Sequence, residues 1–244
     1  MPQFWKVVNY VIRRSDLILI ILDARFPEES RHPELEEKAK KKPVIYVLNK
    51  CDLATEKELK FWKKQFKNCV FVSSIDRLGT TMLKKKILEV SRGEKVTVGV
   101  VGYPNTGKSS VINALKGKKS ASTSSMSGHT KGKQLLRVSE KILLLDTPGV
   151  LPYLEKDEVK LALFGAVDYT KVREPDMVVM ELFQIRKKEV CEFYGVKEQE
   201  DSDDILDEIG EKYSKLKKGG IIDLEATSRM IIRDWQRGRI KVHP

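Results

Sequence analysis

The stretch Gly102-Tyr103-Pro104-Asn105-Thr106-Gly107-Lys108-Ser109 limits the possible folds more than any other part of the chain. It has the spacing G-x-x-x-x-G-K-[ST], follows the apolar run KVTVGVVG and opens the helical pattern GKSSVINALKG. A glycine-rich turn between a buried strand and a helix N-terminus aims successive backbone N–H groups inward at phosphate oxygens, and the helix end adds positive potential. Asn105, Thr106, Gly107, Lys108, Ser109 and Ser110 are therefore expected to line a phosphate cradle. Lys108 supplies a point charge to the β- and γ-phosphates, and the Ser109 hydroxyl is the expected Mg²⁺ ligand.

Around this turn, short apolar runs alternate with helical patterns. WKVVNYVIRR, PELEEKAKK, TEKELKFWKKQF and TTMLKKKILEVS read as helices; DLILIILDA, PVIYVLNK, CVFVSS and KVTVGVVG read as buried strands. QLLRVS and KILLLDTPG read as a hairpin with Ser139-Glu140 near its turn, and the Ser/Gly-rich stretch before them reads as a loop. This alternation predicts an α/β fold, a mostly parallel, doubly wound sheet of about six strands with helices on both faces. After Gly149 the strand signal fades and helical spacing takes over, so residues 1–160 are expected to form the α/β domain and 161–244 a small all-α domain.

A second device lies about fifty residues before the phosphate turn. Asn49-Lys50-Cys51-Asp52 ends a strand at the carboxyl edge of the sheet, where ligands sit in such folds. A carboxylate at Asp52 can accept from both N1–H and the 2-amino group of guanine. Adenine offers neither donor there, so a site built on this pairing discriminates by roughly 10⁴–10⁵-fold. Asn49 is expected to tie this loop to the base and to the phosphate turn, and the Lys50 stem to lie over the ring. Ser73-Ser74, at the end of the next strand, suits a backbone N–H donor to the guanine oxygen. Asp146-Thr147-Pro148-Gly149 also ends a strand: Asp146 suits Mg²⁺ through a water, Gly149 suits sensing of the γ-phosphate, and Thr130 in the preceding loop is the expected second hydroxyl on Mg²⁺.

The order of these pieces is base, base, phosphate, loop threonine, Asp-x-x-Gly, a circular permutation of the usual order for a P-loop GTPase domain. NKCD, GYPNTGKSS and DTPG in this order, with LDARFPEESRHPEL after the first strand, resemble the circularly permuted GTPases of ribosome assembly, the YlqF/YawG type. The C-terminal KKGGIIDLEATSRMIIRDWQRGRI is similar to that family's helical region.

The resemblance implies a GTP-binding and GTP-hydrolysing switch that docks on the large ribosomal subunit and assists its assembly, cycling between GTP and GDP with Mg²⁺. Its partners would be rRNA and ribosomal proteins. It also implies that Asn105 helps hold a K⁺ ion. Lys108, Thr130 and Gly149 are then the residues expected to carry hydrolysis.

The chain departs from the pattern in four places. Ser127-Gly128-His129-Thr130 stands where Pro-Gly-x-Thr is usual, residues 1–16 hold no histidine, Ser74 stands where Ala is common, and Val150 stands where Ras-like enzymes keep a water-orienting Gln. Slow intrinsic turnover with stimulation by the ribosome and K⁺ is therefore expected. An RNA-binding scaffold gated by nucleotide, with negligible hydrolysis, and a GTPase acting on another RNA stand as alternatives.

Charge is unevenly spread. Residues 1–150 carry +14, 151–211 carry −9 and 212–244 carry +6, which together make the net +11. A basic body and tail point to a polyanion, with nucleic acid the usual one. Arg229, Arg233 and Arg237 recur every four residues, opposite an expected apolar side of Leu224, Ile231 and Trp235. Together with Arg239 and Lys241 they are the expected RNA-binding face. The acidic segment 198–211 would face away from RNA. Cys51, Cys69 and Cys191 fit neither a disulfide framework nor a zinc site. The longest apolar run, Leu17 to Leu22, is far shorter than the roughly 20 residues that span a bilayer. A cytoplasmic monomer without a membrane partner is the resulting expectation.

Overall fold

The computed structural model describes residues 3–116, 134–146 and 158–241. They fall into two compact units, divided between Leu154 and Glu155.

The first unit is built on one six-stranded sheet. Its elements are α1 (Gln3–Arg14), β1 (Leu17–Asp23), α2 (Pro33–Ala39), β2 (Val44–Asn49), α3 (Glu56–Gln65), β3 (Cys69–Val72), α4 (Thr80–Val90), β4 (Val96–Val101), α5 (Lys108–Lys116), β5 (Gln134–Arg137) and β6 (Ile142–Asp146). The strand order is β3-β2-β1-β4-β6-β5, parallel throughout except for the β5–β6 hairpin at one edge. Ser139 shapes that hairpin, its hydroxyl accepting from Lys141 N–H at 3.3 Å and Ile142 N–H at 3.1 Å.

Every residue of LILIILD in β1 is buried, as a central parallel strand covered on both faces requires. Leu17, Leu19 and Ile21 face one way and join Leu83 and Ile87 of α4 and Val111, Ile112 and Leu115 of α5. Ile18, Ile20 and Leu22 face the other way and join Trp5, Val8 and Ile12 of α1 and Leu35 and Ala39 of α2. α3 starts on a reciprocal cap: Thr55 Oγ1 accepts from Glu58 N–H while the Glu58 carboxylate accepts from Thr55 N–H.

This order places the site. From β1 the chain runs to β2 and β3 on one side, then returns to place β4 and β6 on the other. The reversal lies between β1 and β4, and the crevice beyond the carboxyl ends at such a point is where these sheets bind ligands. The phosphate turn leaves the end of β4, and the base loop leaves the end of β2.

The second unit packs α6 (Glu158–Leu163), α7 (Pro175–Tyr194) and α8 (Ser202–Lys212) with α9 (Leu224–Gln236). Its first helix straddles the expected boundary at residue 160. α9 is the central element: Ile231, Ile232 and Trp235 are fully buried, and the Trp235 indole N–H donates to Leu163 O at 2.8 Å. Gln236 Nε2 donates to Ala162 O and Val167 O, both at 2.8 Å. Leu224 does not join the apolar side expected of it. It is the first residue of α9, beyond the packed turns, and 45% exposed. Among the described residues no helix is long and apolar enough to cross a membrane.

Candidate functional site

The phosphate turn is held from within. Gly102 has φ +147, and a Cβ there would lie 2.5 Å from Ile21 O, so the turn starts against the backbone of β1. Asn105 sits at the exposed tip with φ 59, a left-handed conformation that Asn tolerates better than most residues. Thr106 is buried and its hydroxyl donates to Tyr103 O at 2.9 Å. Lys108, also buried, donates from Nζ to the same carbonyl. Ser109 and Ser110 lie exposed in the first turn of α5.

The base loop reaches this turn directly. Asn49 is the last residue of β2 and 1% exposed; its Nδ2 donates to Thr106 O at 2.9 Å across 57 positions of sequence. A Cβ on Gly107, whose φ is +92, would lie 2.1 Å from that Nδ2. Asn49 Oδ1 is buried with no hydrogen-bond partner among the described residues. A buried acceptor left this way marks a place completed by water or by a ligand.

Lys50 takes φ 62 and opens the short 3₁₀ turn Cys51–Leu53, which carries the half-buried Asp52. Beyond β3, the Ser73 N–H donates to Leu78 O at 3.2 Å and the Ser73 hydroxyl donates to Asp76 Oδ2 at 2.9 Å. Ser73 thus spends its own N–H in closing the loop.

The residues that would hold Mg²⁺ are of the right chemistry. Ser109 offers a hydroxyl at the start of α5. Asp146 ends β6, the strand that pairs with β4 through Gly99 and Leu145. Hard oxygen donors of this kind, shared with phosphate oxygens, suit that ion. The Asp146 side chain lies outside the described residues, as do Thr130, His129, Gly149 and Val150.

Sequence reasoning missed Asp23 and Arg25 as part of this region. Asp23 ends β1, pairs in register with Asn49 and is fully buried. Its carboxylate accepts from Arg25 Nε at 3.0 Å, Arg25 Nη2 at 2.8 Å and Arg25 N–H at 3.1 Å, and Lys50 Nζ lies 2.8 Å from Oδ2. Burial alone would push the Asp23 carboxyl up. Arg25 and then Lys50 overcome it and hold the group well below the usual carboxylate range. Burial lowers the Lys50 ammonium more than Asp23 raises it. The letters offered only an Asp closing an all-apolar strand with an Arg two residues later; that both are buried and paired is visible only in the fold.

The expected RNA face of α9 is partly spent within its own unit. Arg229 donates to Tyr169 O at 2.7 Å, Val172 O at 3.0 Å and Glu225 at 2.8 Å. Arg233 and Arg239 both pair with the buried Asp234, at 3.1 and 3.0 Å, which also accepts from the Tyr194 hydroxyl at 3.0 Å. Arg237 lies over the Tyr169 ring at 6.0 Å, and Lys241 is exposed. The reason is packing: α9 is the hub of its unit, so its polar face is covered in part by residues 169–172.

Residues 97–217 match the family described as 50S ribosome-binding GTPase, and residues 34–153 match the RsgA GTPase family. An uncharacterized GTP-binding protein of Methanocaldococcus jannaschii is 43% identical over 98% of the chain, which spans 66% of that relative. Nuclear/nucleolar GTPase 2 of Arabidopsis thaliana is 34% identical over 98% of the chain, which spans 44% of its length. Among solved structures, GNP-bound YlqF from T. maritima superposes with a TM-score of 0.71 at 25% identity, covering 98% of this chain and 96% of that one. Its GDP-bound form gives 0.70 at 26% identity, covering 96% and 95%.

Proposed function

The chain belongs to the circularly permuted GTPases of the YlqF and nucleolar GTP-binding protein 2 type, and from that premise we propose that it is a GTP-hydrolysing switch in ribosome assembly. The observation that carries the nucleotide site is the bond from Asn49 Nδ2 to Thr106 O at 2.9 Å. It joins the loop suited to reading guanine to the turn suited to holding phosphates, although the two leave different strands in the reverse of the usual chain order.

In this reading Asp52 accepts from the guanine edge, Asn49 fixes the distance between base and phosphates, and the backbone N–H groups of 105–109 donate to phosphate oxygens. Ser109 and Asp146 would hold Mg²⁺, which would supply positive charge against the phosphates. Lys108 donates to the Tyr103 carbonyl. Engaging the phosphates means exchanging that neutral acceptor for charged ones, and charge-assisted hydrogen bonds are the stronger kind. Asn105, at the exposed tip, would contribute its amide oxygen to a K⁺ ion. With Val150 in the water-orienting position, intrinsic hydrolysis is slow, and the ribosome and K⁺ accelerate it.

The partner is the large ribosomal subunit, met through the basic surface of the first unit and the exposed cations that follow α9, Arg237, Lys241 and the Asp234-paired Arg239. The site of action is the cytoplasm. Phosphate release measured with and without purified large subunits, in K⁺ and in Na⁺, tests the reading. Acceleration by subunits in K⁺ supports it; turnover indifferent to both leaves a nucleotide-gated scaffold instead.

A further inference from the structure

Two cations converge on one buried carboxylate at the rim of the proposed nucleotide site. Asp23 is fully buried. Arg25 grips it through a two-pronged guanidinium contact and a backbone N–H, and Lys50 reaches the Oδ2 atom from the neighbouring strand end. The Arg25 fork already satisfies the charge of Asp23, so the Lys50 bond is not needed to neutralise it. A lysine in a solvated loop would spread over many rotamers and lose that freedom when fixed. Here both ends of Lys50 are already fixed. Its backbone is locked at φ 62, between Asn49 and the 3₁₀ turn that carries Asp52, and its ammonium is locked on Asp23. The Lys50 side chain between these anchors keeps 18% of its surface exposed.

We propose that Asp23 is a positioning residue for nucleotide binding: by anchoring the Lys50 ammonium, it stretches the Lys50 stem into a preformed apolar platform for the purine ring. Arg25 keeps the anchoring carboxylate ionised and in one orientation. This rests on the guanine-site reading above. It assigns to the Asp-Ala-Arg segment a role in affinity for the purine ring as a whole, leaving to Asp52 the choice of guanine.

The test is a double-mutant cycle on the full chain with Asp23→Asn, Lys50→Met and the pair together. The readout is equilibrium binding of fluorescent mant-GDP and competition by GTP and ITP, with nucleotide-free melting temperatures measured alongside. Met keeps an apolar stem and removes only the anchor. Each single change should weaken mant-GDP binding by about 10–100-fold, the worth of one charged hydrogen bond, and should weaken GTP and ITP alike. The double change should be little worse than either single one.

A purely structural Asp23 would lower the melting temperature of Asp23→Asn and leave the affinity of the folded protein unchanged, and that result overturns the proposal. So does Lys50→Met binding as tightly as wild type, or a double variant whose loss is the product of the singles. Should Asp23→Asn not fold, Lys50→Arg, which retains a cation for Asp23, must bind more tightly than Lys50→Met; the opposite order overturns the proposal. If wild type itself ignores mant-GDP, it is the guanine-site reading that fails.

Discussion

Gly107→Ala perturbs the junction between the two loops more selectively than any other single change. The added methyl meets two obstacles. At φ +92 a non-glycine residue costs about 1–2 kcal/mol. The new Cβ would also sit 2.1 Å from Asn49 Nδ2, so the amide must leave its bond to Thr106 O and strand a buried carbonyl, for about 1–3 kcal/mol. Together these give about 2–5 kcal/mol. An empty loop relaxes away from most of this, whereas a loop holding phosphates in place cannot, so the cost should appear chiefly in binding. Each 1.4 kcal/mol is tenfold, so mant-GDP affinity should fall by at least roughly 30-fold.

Gly219→Ala supplies the control. That glycine has a similar φ of +94, in the other unit, but nothing lies within 4 Å of its Cβ position. It should cost about 1 kcal/mol of stability and leave nucleotide affinity unchanged. Wild-type affinity in Gly107→Ala would show that the Asn49–Thr106 junction is not part of the nucleotide-bound state.

Asp52→Asn exchanges an acceptor for a donor facing the base edge, so affinity for GTP should fall by up to roughly 10⁴-fold while xanthosine triphosphate, which carries a carbonyl there, gains; competition titration checks both. Arg229→Ala removes donors to Tyr169 O and Val172 O and should destabilise the second unit by about 1–2 kcal/mol in urea unfolding. Arg237→Ala should leave stability unchanged and weaken RNA retention in filter binding, with a shallower salt dependence. The Cys51 thiol is pushed up to about 11, by burial first and then by the Asp52 charge. Its thiolate therefore forms only as pH rises towards that value, and site-resolved iodoacetamide labelling should climb between about pH 10 and 11 instead of near the ordinary thiol value of about 8.5.

Local patterns carried the parallel sheet and the placement of both loops at its edge. The all-apolar LILIILD admits little but a doubly covered strand, and G-x-x-x-x-G-K-S between strand and helix admits little but a phosphate turn. The alternative use of Arg229 was hidden because helical spacing reports which residues share a face, not what the rest of the unit lays against it. Residues 169–172 cover that face through contacts some 60 positions away in sequence. Asp23 was hidden for a similar reason. A carboxylate at a strand end looks solvated until the register Asp23↔Asn49 brings Lys50 beside it. Ser73 looked like a donor to the base because nothing local announces that Leu78 returns to take its N–H.

The central claim is that the strand ends from Asn49 to Asp146 form one guanine nucleotide site. Isothermal titration of the purified chain with GTP and with ATP, in Mg²⁺, tests it most directly. Saturable binding of one GTP per chain is expected, with no competition from ATP. Absence of GTP binding, or ATP binding of equal strength with Asp52 intact, would contradict it.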